Sequence, residues 1–122
     1  MAKKSGRGGT RILIVEDDLD TRIALRRILE QLGYSIIPVA TVAEGHELLD
    51  GQDFAILDLN LPDGLGTSIL RRIRAEHRPI RVAITTAAEG KVLEDARKLK
   101  PELLLRKPID LNALLQWIEG RG

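Results

Sequence analysis

Phe54-Ala55-Ile56-Leu57-Asp58-Leu59-Asn60-Leu61-Pro62-Asp63-Gly64-Leu65-Gly66 is the stretch on which the fold turns. Its first four residues are an unbroken apolar run, the pattern of a strand covered on both faces. Pro62, Gly64 and Gly66 follow within a few positions, and a strand interior does not accept them. Asp58 therefore stands where a buried strand gives way to a loop. In an open parallel sheet, ligands bind beyond the carboxyl ends of the strands. Taken alone, Asp58 could equally be an aspartate that starts a turn.

Upstream, Arg11–Val15 is a second apolar run, and it ends in Glu16, Asp17 and Asp18. Leu25, Ile28, Leu29 and Leu32 then recur at helical spacing, leaving Arg22, Arg26 and Arg27 mostly for the wet side, and Gly33 is a natural stop. Tyr34–Val39 reads as a strand, placed at a sheet edge by Pro38. Thr41 caps a short helix through Leu49. Downstream, Thr67–Ala75 is helical with Ile69, Leu70 and Ile73 inward. Arg81–Thr85 is a strand, residues 86–90 a loop, and 91–99 a helix. Leu103–Leu105 is a short strand followed by Arg106-Lys107-Pro108, and Asp110 caps a last helix with Leu111, Leu114, Leu115 and Ile118 inward. Strands and helices alternate five times. That predicts an α/β fold: a five-stranded parallel sheet, doubly wound, with right-handed crossovers.

The 122 residues suffice for one domain with a core. We expect residues 1–10 to be a flexible basic Gly/Ser-rich tail and 11–120 to be the domain. Of a formal charge of +1, three cations (Lys3, Lys4 and Arg7) lie in that lead, so the remainder is slightly acidic. No basic patch for nucleic acid is evident in it. The lead has no apolar stretch behind its cations and does not resemble a secretory signal. The absence of cysteine excludes thiolate and disulfide chemistry and fits a cytoplasmic setting. No apolar run is long enough to span a membrane.

If the strands are parallel, Glu16, Asp17, Asp58, Thr85 and Lys107 all gather at one rim of the sheet. Carboxylates crowded in a partly buried place repel one another, and a hard divalent cation such as Mg²⁺ removes that penalty. The hydroxyl of Thr85 and the ammonium of Lys107 suit an incoming phosphoryl group. Each residue has a plainer explanation by itself. The acidic run could only cap a helix, Lys107 could be a solvated loop lysine, and Thr85 could be a β-branched strand residue. Their joint arrival at strand ends favours the site.

From Arg11 to about Glu119 the chain resembles a receiver domain of a two-component response regulator, with the flavodoxin-like (βα)5 fold of that superfamily. The resemblance is carried by Ile12-Leu-Ile-Val-Glu-Asp-Asp18, Ile56-Leu-Asp-Leu-Asn-Leu-Pro-Asp-Gly-Leu-Gly66, Thr85 and Lys107-Pro108. It implies that Asp58 is the phosphoacceptor, receiving a phosphoryl group from a histidine kinase, a histidine phosphotransfer protein or a small phosphodonor. It implies that Glu16, Asp17, Asp58 and the Asn60 carbonyl hold Mg²⁺, and that Asp18 caps the first helix. Thr85 and Lys107 would contact the phosphoryl group, Thr86 and Ala87 would belong to the switch loop, and the Lys107–Pro108 bond would be cis. Such a chain is a signalling phosphoacceptor that switches protein–protein contacts rather than an enzyme in the usual sense.

Three positions depart from the family pattern. Leu104 replaces the aromatic that normally reports phosphorylation, Thr86 replaces a smaller residue, and Lys100-Pro101 replaces a helix-ending Gly-Ala. Lys100 is expected to be held extended by the proline, stiffening that turn. The signal would then leave through residues 86–99. Leu104 and Trp117 are expected as exposed apolar residues of a face that docks a downstream protein or a second copy, although Trp117 could equally fold over a groove edge. A phosphorylation-independent binding module is the alternative. A haloacid-dehalogenase-type hydrolase would want an acid two residues beyond Asp58, where Asn60 stands, and DNA binding finds no recognition helix after Glu119.

Overall fold

Side chains of β1 (Arg11–Val15) alternate between two cores: Leu13 and Val15 join one, Ile12 and Ile14 the other. All four are fully buried, and each contributes about 1.5–3 kcal/mol in apolar area removed from water. The computed structural model describes residues 9–120. The expected tail, residues 1–10, therefore lies mostly outside the described residues. After β1 come α1 (Leu19–Gln31), β2 (Ser35–Val39), α2 (Val42–Glu47), β3 (Phe54–Leu57), β4 (Asn60–Leu61) and β5 (Gly64–Leu65). The chain continues through α3 (Thr67–Ala75), β6 (Arg81–Thr86), α4 (Gly90–Lys98), β7 (Leu103–Arg106) and α5 (Leu111–Ile118).

Five strands form one parallel sheet in the order β2-β1-β3-β6-β7. This is the doubly wound α/β architecture expected from the alternation, with β2 and its Pro38 at an edge. One core lies between the sheet and α3 and α4, around Leu57, Ile69, Leu70, Ile73, Ile84 and Ala96. The other lies against α1 and α5, around Ile56, Leu25, Leu29, Leu114 and Ile118. The chain first moves outward from β1 to β2 and then returns to β3 on the other side. Such a reversal opens a crevice at the strand ends between β1 and β3.

Register brings the rim residues level. Val15 pairs with Leu57 and Leu57 with Ile84, so Glu16, Asp58 and Thr85 each follow directly on aligned neighbours. Thr86 pairs with Arg106, which puts Lys107 one step beyond. The Lys107–Pro108 bond is cis.

Trp117 is not on an exposed face. It is 8% exposed and sits in the α1/α5 core. Helical spacing alone put Leu111 and Leu115 inward, but both are only partly buried while Leu114, Trp117 and Ile118 form the covered stripe. The indole removes more apolar area from water than either leucine, which rotates the preferred face towards it. Its ring meets Phe54 edge-on, with centroids 5.1 Å apart, and the Arg81 guanidinium covers it at 5.4 Å. Leu104 is also partly buried, packed against the α3/α4 core.

Lys100 is not extended; its φ is 52°. With Leu99 as C-cap of α4 and no glycine to follow, Lys100 itself takes the left-handed position that reverses the chain. Its carbonyl accepts a hydrogen bond from Arg74 Nη2 at 2.8 Å. The β4–β5 ladder was not expected, because two-residue strands leave no periodicity to detect.

Candidate functional site

At the end of β1 the chain turns sharply into α1, and the turn is held from several sides. Asp18 is the N-cap of α1: its Oδ2 accepts from the Thr21 N–H at 2.9 Å and from the Thr21 hydroxyl at 2.6 Å. The Arg22 guanidinium donates to the Glu16 carbonyl at 2.8 Å and the Asp17 carbonyl at 3.3 Å. Arg22 is thus partly buried beneath the acidic turn rather than left to solvent. These contacts leave the Glu16 and Asp17 side chains facing Asp58. One carboxylate oxygen from each of the three lies within 4.8 Å of the others.

The trio is unequally exposed. Glu16 is 1% exposed and Asp58 7%, whereas Asp17 is open to solvent. Lys107 enters from β7 and bridges the two buried acids, with Nζ 2.7 Å from Glu16 Oε1 and 3.1 Å from Asp58 Oδ2. Asp58 Oδ1 accepts the Leu59 N–H at 2.7 Å, and Glu16 Oε2 accepts the Asp18 N–H at 3.1 Å.

Burial pushes the Glu16 carboxyl above its usual range, more than the hydrogen bond from Lys107 pulls it down. Burial also works against the Lys107 ammonium, but its contacts with Glu16 and Asp58 outweigh that and raise its pKa. Three carboxylates against one ammonium leave surplus negative charge in a place where water is scarce. A divalent cation with oxygen ligands fits that surplus, and the exposed Asp17 leaves a path for its remaining waters.

Thr85 and Thr86 are both buried at the end of β6. Thr86 does what the sequence did not suggest: its hydroxyl accepts the Ala88 N–H at 2.9 Å and pins the loop it opens. Ala87 and Asn60 are exposed beside the rim.

Two further residues, which the sequence marked only as part of the turn after Asp58, also shape the site. At Gly66 an added Cβ would lie 2.0 Å from the Asp58 carbonyl oxygen, so the loop can return against the acceptor strand only through glycine. Its N–H donates to the Leu59 carbonyl at 2.8 Å. Asp63 reaches from the β4–β5 turn to α2 and accepts the Val42 and Ala43 N–H groups. The Pro62-Asp63-Gly64 run signals a turn, but nothing local ties it to a helix twenty residues upstream.

Comparison with known proteins points to one family. The family described as response regulator receiver domain matches residues 12–119. The swarming motility regulation protein RssB of Serratia marcescens is 41% identical over 112 residues, covering 89% of this chain and 51% of that protein. This chain thus spans about half the length of that relative. The sporulation initiation phosphotransferase F of Bacillus subtilis is 28% identical over 107 residues, covering 85% of this chain and 86% of its own. Among solved structures, a CheY-like receiver domain protein from Methanospirillum hungatei superposes with a TM-score of 0.81 at 28% identity, covering 92% of both chains.

Proposed function

Because the chain belongs to the response regulator receiver domain family, we propose that it is a phosphoacceptor in which Asp58 takes a phosphoryl group from a phosphohistidine and the change alters protein–protein contacts. The observation that carries this is the Lys107 ammonium bridging Asp58 and Glu16 within an acidic trio. An oxygen of Asp58 attacks phosphorus, the P–N bond to the donor imidazole breaks, and the imidazole takes a proton from solvent. The donor is a histidine kinase or a histidine phosphotransfer protein.

A carboxylate is a weak nucleophile, so the protein's share is positioning and charge. The Leu59 N–H fixes the Asp58 side chain. Glu16, Asp17, Asp58 and the Asn60 carbonyl would hold Mg²⁺, which supplies neutralisation of the phosphoryl oxygens. Lys107 pairs with the new group, and the buried Thr85 hydroxyl donates to it. Drawing Thr85 inward shifts the loop of residues 86–90 and α4 behind it. We assign output to that segment, since Trp117 is buried.

Leu104, where the family's aromatic is absent, favours a second reading: a receiver-like module that binds its partner without phosphate. Intact mass after incubation with acetyl phosphate and Mg²⁺ separates the two. The phosphoacceptor gains one phosphoryl group, and Asp58→Asn or a chelator prevents it. Uptake of phosphate by Asp58→Asn would remove Asp58 from the role. No uptake by the native chain would leave the module.

A further inference from the structure

Asp63 sits at the tip of the β4–β5 hairpin, and its two carboxylate oxygens divide their work. Oδ1 accepts the Val42 N–H at 2.8 Å and Oδ2 the Ala43 N–H at 3.0 Å. α2 otherwise supplies its own start. The Thr41 hydroxyl accepts the Glu44 N–H at 3.1 Å, and Glu44 Oε1 reaches back to accept the Ala40 N–H at 3.2 Å, one residue ahead of the cap. Asp63 closes two more first-turn amides from a separate part of the chain.

The stem of the hairpin is closed on itself. Asn60 pairs with Leu65, and Gly66 is anchored on Leu59 and pressed against the Asp58 carbonyl. Nearer the tip Leu61 pairs with Gly64 and packs, with Val42, against the α3/α4 core, and Asp63 supplies the hydrogen bonds that tie the tip to α2. The acidic turn is fastened to the same place, because the Glu16 N–H donates to the Val39 carbonyl at 3.0 Å, just ahead of α2. The carboxylates after β1 and the hairpin after β3 therefore share one reference point, the junction of β2 and α2.

We infer that Asp63 is a positioning residue for the divalent-cation cage, holding the hairpin, and with it the Asn60 carbonyl, in register with the Glu16, Asp17 and Asp58 carboxylates. This rests on the phosphoacceptor reading above. Asp58 itself is held separately, by the Leu59 N–H and Lys107. Loss of Asp63 accordingly loosens the cage and leaves the nucleophile where it was.

The test is Mg²⁺ titration of the full chain, followed by calorimetry and by the Asp17 and Asn60 amide shifts. Asp63→Ala is expected to weaken Mg²⁺ binding about tenfold, the scale at which outer partners act on ligands. Thr41→Ala, which removes a cap from α2 without touching the hairpin, leaves the affinity near that of the native chain. At saturating Mg²⁺, uptake of phosphate from acetyl phosphate by Asp63→Ala returns to the native rate. Unchanged affinity in Asp63→Ala overturns the inference, and so does an equal loss in Thr41→Ala, which would make helix stability the cause. A native chain that neither binds Mg²⁺ nor gains phosphate overturns the phosphoacceptor reading itself, a result distinguishable from the other two. Should Asp63→Ala not fold, Asp63→Asn, which keeps one acceptor oxygen, carries the same comparison with a smaller change.

Discussion

At the level of single residues, an ammonium wedged between two carboxylates must be released by one of them before new charge can be matched. Lys107 lies closer to Glu16 than to Asp58, so charge arriving on Asp58 would draw it away from Glu16. The pair was only half legible in the sequence. Lys107 ahead of a proline marked a strand end, but that Glu16 would be its nearer partner needed the β1–β3–β6–β7 register. Trp117 shows the opposite failure, since helical spacing gave it no place in the core and its size did. We expect Trp117→Ala to cost about 3–5 kcal/mol in urea unfolding, as for other buried large aromatics. A change within about 0.5 kcal/mol, the range of surface substitutions, would mean that the ring is not part of the core.

At the level of elements, two of the aspartates that cap helices are held charged by their partners. The Thr21 hydroxyl and N–H keep the Asp18 carboxyl below its ordinary range, and the Val42 and Ala43 N–H groups do the same for Asp63. A lowered folded pKa means that the unfolded chain takes up the proton first. Stability from each cap is thus complete above the ordinary value of 3.8 and fades as pH falls through the folded one. In an acid titration followed by NMR, the Thr21, Val42 and Ala43 amides should move with midpoints below 3.8. Asp63→Asn should abolish the movement at Val42 and Ala43 and leave it at Thr21. A native midpoint at or above that value would deny these hydrogen bonds. The Asp18 cap and the Thr41 and Asp110 caps could be read from spacing. The Asp63 cap could not, because it joins elements far apart in the chain.

At the level of the whole molecule, the β6–α4 loop is latched at several points. Thr86 holds Ala88, the Lys107 N–H donates to the Thr86 carbonyl at 2.8 Å, and Arg106 pairs with Glu89 at 3.3 Å. The exposed Arg106–Glu89 pair is worth little by itself, so the loop is held chiefly by the hydrogen bonds at Thr86. Binding of beryllofluoride with Mg²⁺ should change amide exchange over residues 86–99, and unchanged exchange there would remove this segment from the output. The parallel sheet covered on both faces and the gathering of polar residues at one rim were visible in the alternation of apolar runs and helices, whereas the order of the strands was not. Hidden from it were the left-handed turn at Lys100 and the small ladder after Asp58, both set by contacts between distant segments rather than by local pattern.

The protein has one tryptophan, and its placement has a practical outcome. The indole lies between Phe54 and Arg81, which begin their strands, whereas Asp58 and Thr85 stand at the other ends of the same strands. Intrinsic fluorescence will therefore report global melting faithfully and stay nearly silent when cation or phosphate arrives. A probe placed at the exposed Ala87, in the loop beside the rim, would be needed to make those events visible.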